Sequence, residues 1–326
     1  MHERPADFTD AELAAALRAH WRLDAAALTY LPVGFGGFHW QVTGQAGQRW
    51  FATASSLAGD GDFADLTATM TTAAMLAERG LSFVVAPVRA VSGDLAVRAR
   101  PDYAITLYPF AAGTPGRFAN VLTPADQAAV AGLLAELHGI AGDPGRVPVR
   151  SPDLPGIALL EESIRERRLS WRGGPFAEPA RQLLSEHAAG LTEALAGFRG
   201  LAASLASDGR PSVITHGEPH AGNLIRRDGG FLLIDWDTVG LAPPERDLWW
   251  VAREPGTASA RYAELTGRAV SQPAVEFYRL RWDLDDICSF LADFRRPHER
   301  TRDTEVAFAG FAAAARTVAH VGVIRQ

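Results

Sequence analysis

The sequence contains no lysine: all 32 of its basic residues are arginine. That excludes any reaction with a strict need for a lysine amine, and with so much Ala, Gly and Arg a GC-rich coding bias is the plain cause. Cysteine is almost as scarce. Cys288, the single one, rules out a disulfide framework and a cysteine-based metal site, reads as a small buried hydrophobe and suits a reducing cytoplasm. Long apolar runs are missing too. None approaches the ~20 residues that span a bilayer, and the opening MHERPADFTD carries acids where a secretory signal would have its apolar stretch. Positive charge is in deficit, at a net −6, which argues against nucleic acid as a partner and suits a cationic small molecule. What remains is a globular chain, 47% hydrophobic and 21% charged, whose 326 residues exceed one ordinary core and suggest two domains or lobes.

The pattern changes along the chain. LTYLPV and FHWQVTG read as strands around a glycine cluster (Gly34, Gly36, Gly37), and RWFATA reads as the next strand after the turn GQAGQ. Residues 62–79 are apolar at helical spacing and stop at Gly80. LSFVVAPV and AITLYPF look like further strands, so residues 1–107 are expected to form a small strand-rich lobe with one helix. A connector punctuated by Pro and Gly follows at 108–113. Beyond it helices dominate, opening at Thr123 with Pro124, a favourable cap and first-turn pair, and continuing over 155–168, 178–205 and 274–294. The expected fold is α+β and bilobal: a β-rich lobe, a hinge, and a larger helical lobe over 114–326.

Chemistry concentrates in THGEPHAGNLIRRDGGFLLIDWDTVG, residues 215–240. His216, Glu218 and Asn223 stand in the H-x-D-x-x-x-x-N register of a kinase catalytic loop. One carboxylate there accepts a hydrogen bond from the acceptor hydroxyl, and five residues later an amide oxygen reaches the metal on the phosphates. Twelve residues on, Asp235 closes a short strand, where its carboxylate can bridge that metal to phosphate. His220 is either a supporting group or an ordinary loop histidine. Asp237 either approaches the metal or is a turn carboxylate.

HGEPHAGNLI, LLIDWDTVGLAPPERDLWWV and AITLYPFAAG resemble the aminoglycoside phosphotransferase family, and HAGN, IDWD and ERDL resemble its spectinomycin phosphotransferase branch in particular. The resemblance runs over about residues 28–294 and is most specific at 215–251. It implies a protein-kinase-like fold, a Mg2+-dependent phosphoryl transfer from ATP or GTP, and a small, hydroxylated, cationic acceptor, with neither nucleic acid nor membrane involved. It implies Glu218 as the base, Asn223 and Asp235 as Mg2+ ligands, Tyr108 and Phe110 in the adenine-facing hinge, and Asp247 as a brace of the loop.

The chain departs from that family in three places. Glu218 stands where the family has Asp, with one more methylene. Thr53 stands where the family has the phosphate-binding strand lysine, and a hydroxyl does not replace a point cation. The glutamate that pairs with that lysine falls at about residues 67–69, all neutral; losing both partners avoids a lone carboxylate. Arg98 and Arg100, on the strand before the hinge, are candidates to reach the phosphates instead, and otherwise are surface residues. On the acceptor side, Asp283 and Asp286 of FYRLRWDLDDICSFLADF are candidates for an acidic wall, or else form a helix face paired with nearby arginines. Two readings follow. One is a phosphotransferase acting on an aminocyclitol-like antibiotic or a metabolite alcohol. The other is a catalytically silent kinase-fold protein that binds a small molecule or nucleotide.

Overall fold

A computed structural model of the chain describes residues 1–143, 145–252 and 254–323. In chain order the first elements are α1 (Asp10–Trp21), β1 (Ala25–Leu31), β2 (Gly37–Gly44), β3 (Arg49–Ser56), α2 (Asp60–Glu78), β4 (Val97–Arg100) and β5 (Tyr103–Pro109). Next come β6 (Thr114–Pro115), α3 (Pro124–His138), α4 (Ile157–Arg165), α5 (Ala177–Ser207), β7 (Val213–Thr215), β8 (Leu224–Arg227) and β9 (Gly230–Leu233). The chain continues through β10 (Gly240–Ala242), α6 (Glu245–Leu248), α7 (Thr257–Thr266), α8 (Gln272–Arg295) and α9 (Arg302–Val323). They fall into two compact units, one formed by Met1–Arg150 with Pro211–Val270 and the other by Ser151–Arg210 with the segment from Ser271 on.

The first unit is built on a five-stranded antiparallel sheet in the order β1-β2-β3-β5-β4. Alternation along the strands gives it two different faces. Trp40, Val42, Ala52, Ala54, Ile105 and Leu107 bury one face with Phe8, Leu13 and Leu17 of the α1 region. The other face carries His39, Thr53, Ala104 and Thr106, and α2 covers part of it: Ala104 shares a core with Leu66, Met70 and Ala73. Each fully buried leucine among these contributes about 1.5–3 kcal/mol relative to exposure. Behind the sheet lie α3, α7 and two smaller sheets, β6-β8-β9 and β10-β7. In the second unit α4, α5, α8 and α9 pack on one another. Phe198 stacks on Phe277 at 5.1 Å between ring centroids, and Phe294 meets Phe308 and Phe311.

Two expectations are corrected here. Residues 1–107 hold two helices, not one. Thr9 caps α1, accepting a hydrogen bond from the Glu12 amide while the Glu12 carboxylate accepts one from the Thr9 amide. The run LSFVVAPV forms no strand. Phe83, Val84 and Val85 are buried consecutively rather than alternately, Pro87 offers no donor, and the run makes a single parallel bridge, Val84 to Leu233. Helices α7 and α9 add to those expected. No described helix is long and apolar enough to cross a membrane.

Candidate active site

The catalytic-loop motif begins where β7 ends, and its shape follows from who holds its backbone. Buried Asp247 of α6 accepts hydrogen bonds from the His216 amide at 2.8 Å and the Gly217 amide at 2.6 Å. Gly217 has φ +101°, and a Cβ there would run into the Arg246 guanidinium, so only glycine suits this turn. Arg246 in turn donates to the Thr215 hydroxyl and the Thr238 carbonyl. His138 of α3 lies behind Asp247, its Nε2 at 3.1 Å from the carboxylate and its Nδ1 at 2.8 Å from the Tyr262 hydroxyl. Because a carboxylate only accepts, Nε2 donates to Asp247. Burial alone would raise the Asp247 pKa; His138, Arg246 and His216 outweigh it and hold the group below its ordinary value.

His216 staples the loop to the strand end beyond it. Its Nε2 donates to the Ile234 carbonyl at 2.9 Å and its Nδ1 accepts from the Glu218 amide at 3.2 Å. Burial pushes its pKa down to about 4, so the imidazole is neutral at ordinary pH, as this pair of bonds requires. Asn223 closes the loop. Its side-chain nitrogen donates to the Glu218 carbonyl at 3.0 Å, its amide oxygen takes no hydrogen bond from the described residues, and its own carbonyl accepts from the Ile234 amide at 3.0 Å. The bonds on both sides of Ile234 thus bring Asn223 beside Asp235.

Asp235 adopts φ +67°, an uncommon left-handed conformation for a residue with a side chain. Solvent reaches its carboxylate and that of Asp237, yet both lie deep among protein atoms. Burial first, then Asp237 and Glu218, raise Asp235 well above the ordinary carboxylate range. Asp237 is raised as well, by burial and Asp65, with Arg150 opposing. Among the described residues no three His, Cys, Asp or Glu side chains converge as a self-sufficient metal cage. Two mutually repelling carboxylates and an amide oxygen with no hydrogen bond from the described residues nevertheless suit magnesium, which is bound through one or two carboxylates and otherwise by water and phosphate.

The remaining expected residues are placed as follows. Tyr108 shares the Thr53 face of the sheet; its hydroxyl meets Met70 Sδ at 3.0 Å, and burial, with Asp235 and Asp237, raises its pKa. Phe110 lies under the Arg49 guanidinium at 4.3 Å. Thr53 has its hydroxyl 3.1 Å from His39 Nδ1. Arg98 is on that same face but turns to the start of α2, bonding Asp60 at 3.0 Å and lying over Phe63. Arg100 is on the opposite face, bound by Asp102, Glu12 and the Asp7 carbonyl. His220 stands 3.9 Å from the Glu218 carboxylate; burial lowers its pKa to about 4, so the two make no ion pair at neutral pH. In the second unit Asp283 pairs with Arg279 and Asp285 with Arg281 along α8. Asp286 is pushed up to about 7 by burial and by those two aspartates.

Three features lie outside the motifs read from the sequence. Phe118, His220 and Trp250 form an edge-to-face cluster, with centroids 4.8 Å (Phe118–His220), 5.0 Å (His220–Trp250) and 5.9 Å (Phe118–Trp250) apart, and Trp250 donates to the Gly217 carbonyl. They form an aromatic wall next to Glu218. Arg150 joins α2 to the segment after Asp237: Nη1 contacts both Asp65 oxygens at 3.0 Å, and Nε and Nη2 reach the Val239 carbonyl. His138 is the third.

A family model described as the phosphotransferase enzyme family matches residues 28–282, a span that includes every feature of this loop. The chain belongs to that family. Among curated proteins, Protein StrN of Streptomyces griseus is 28% identical over 247 residues, 71% of each chain. A crystal structure of spectinomycin phosphotransferase in complex with ADP and spectinomycin is similar with a TM-score of 0.76, at 17% identity over 97% of this chain and 99% of that one. An amicoumacin kinase in complex with AMP-PNP and Ca2+ reaches 0.62 at 12% identity, covering 96% and 94%. These likenesses establish the kinase-like α+β fold, with its antiparallel sheet in the N-terminal region and helices in the C-terminal part.

Proposed function

We propose that this phosphotransferase-family chain transfers the γ-phosphoryl group of ATP or GTP to a hydroxyl of a small cationic molecule of the aminocyclitol or aminoglycoside kind. The observation that carries this reading is the convergence of Glu218, Asn223 and Asp235, with the Glu218 loop tied down by Asp247 and His216. Glu218 orients the acceptor hydroxyl and takes its proton as that oxygen bonds to the γ-phosphorus and the bond to the β–γ bridging oxygen breaks. Asn223 and Asp235 are the residues to hold magnesium, which when bound neutralises charge on the phosphates. The Phe118–His220–Trp250 wall suits the apolar face of a ring-shaped acceptor. The net charge of −6 favours a cationic acceptor over an anionic one.

In this reading residues 1–107 serve the nucleotide, 108–113 the hinge and 114–326 catalysis and acceptor binding. A cytoplasmic site of action suits the nucleotide and the thiol of Cys288, and an antibiotic acceptor would make the protein a resistance enzyme. A second reading, a silent nucleotide or small-molecule binder, is favoured by one observation: Thr53 puts no permanent cation at the lysine position. Incubation with labelled ATP, magnesium and a panel of aminocyclitols and alcohols tests the choice. Labelled product favours transfer; binding of nucleotide or acceptor without product across the panel favours the silent binder.

A further inference from the structure

We infer that His39, held by Thr53, contacts the phosphates of the bound nucleotide in this chain, in the role that a lysine at position 53 would fill. The inference rests on the nucleotide-dependent reading above. His39 and Thr53 are direct cross-strand partners on β2 and β3, on the sheet face that also carries Thr106 and Tyr108, the tyrosine influenced by Asp235. Thr53 engages Nδ1, which fixes the ring and leaves the Nε2 edge turned to the glycine cluster. A Cβ on Gly34 would come within 2.9 Å of Nε2, so the turn lies directly against the imidazole. Gly34 and Gly36 both have positive φ, +71° and +82°, and glycine turns of this kind expose amide hydrogens that suit anions. The ring, its partner hydroxyl and the turn thus form one polar group, whereas Arg98 and Arg100 are engaged by acidic residues.

Histidine also explains why no carboxylate partner is present. Near the middle of α2, Thr67 and Thr69 spend their hydroxyls on the backbone carbonyls of Phe63 and Leu66, so neither offers a charge to a permanent cation. His39 needs no such partner. Burial, with the N-terminal ammonium bound to the carbonyls of Val33 and Gly34, lowers its pKa to about 4 and keeps it neutral. The other ring packed on it, Phe51 at 5.1 Å, is uncharged. A polyphosphate beside Nε2 reverses the balance and favours the imidazolium, so His39 acquires its charge when the anion arrives.

The test is calorimetric titration of the full chain with Mg-ATP at pH 6, 7 and 8, in pairs of buffers that differ in ionisation enthalpy. The His39→Asn variant is titrated alongside, its fold checked by a melt without nucleotide. The expected result is that the wild type takes up more protons on binding than His39→Asn at the same pH, and that affinity in the variant is lowered ~10-fold or more at pH 6, equivalent to about 1.4 kcal/mol. Should that variant not fold, His39→Gln is titrated in its place. Equal proton uptake by wild type and variant overturns the role of His39 and leaves the nucleotide reading standing. No nucleotide binding by the wild type overturns both.

Discussion

Asp247 and His138 meet at 3.1 Å with neither side chain exposed to solvent, although 109 residues separate them in the chain. The pair holds the His216 and Gly217 amides in place, so damage to it reaches Glu218 through the backbone. Removing the donor leaves the buried carboxylate short of one hydrogen bond, which costs about 1.5–3 kcal/mol. His138→Ala is therefore expected to lower unfolding free energy by that order in urea titrations. Turnover should fall more than nucleotide affinity, since a displacement near ~1 Å costs about 100-fold; a variant as stable and active as wild type would refute the bracing role.

Glu218→Gln keeps the shape of the side chain and loses its ability to take a proton. We expect kcat to drop by ~100-fold or more, within the range of general-base contributions, with the nucleotide dissociation constant nearly unchanged. Unchanged turnover would remove Glu218 from the reaction.

Asp235→Asn separates function from stability. Asp235 has a folded pKa raised above its unfolded value. Its ionised form therefore destabilises the empty fold, and stability is lost as pH rises through the folded pKa. At neutral pH the amide should stabilise the protein without magnesium by about 0.5–2 kcal/mol, while abolishing the magnesium-dependent rise in melting temperature on adding nucleotide. A variant that still responds to magnesium would exclude Asp235 as a ligand.

His216 makes the fold acid-sensitive. Its pKa falls from 6.5 to about 4 on folding, so the unfolded chain binds the extra proton between those values. The histidine's contribution is fully present above pH 6.5 and is lost as pH falls toward 4. One pKa unit corresponds to about 1.4 kcal/mol, which sets an upper limit of roughly 3 kcal/mol for this group. Denaturant midpoints at pH 7.5, 6 and 5 measure it, and His216→Asn should shrink the difference. An equal slope in both proteins would assign the proton elsewhere.

The motif at 215–240 was legible because its spacing is local: a strand, a tight loop and a hairpin fix where Glu218, Asn223 and Asp235 fall. The strands around Gly34 and the long helices α5 and α8 were legible for the same reason. LSFVVAPV misled because an unbroken apolar run looks alike in a buried strand and in a buried connector. Helix α1 carried a readable Thr9–Glu12 cap that its modest periodicity hid. The groups that matter around the loop were out of reach. His138 and Asp247 are 109 residues apart and Arg150 and Asp65 are 85 apart, so no local pattern joins them. His39 lies 14 residues from Thr53, but only the strand register makes them partners.

Both compact units are assembled from separated stretches of chain, Met1–Arg150 with Pro211–Val270 in one and Ser151–Arg210 with the segment from Ser271 in the other. On the ribosome the five-stranded sheet can emerge complete, yet it waits for α4 and α5 to pass before β7 and the Glu218 loop arrive. Helix α5 waits in turn, its apolar side uncovered, until α8 and α9 are made. At about 5–20 residues per second each of these delays lasts several seconds, during which apolar surface that the finished fold covers stays exposed on the nascent chain.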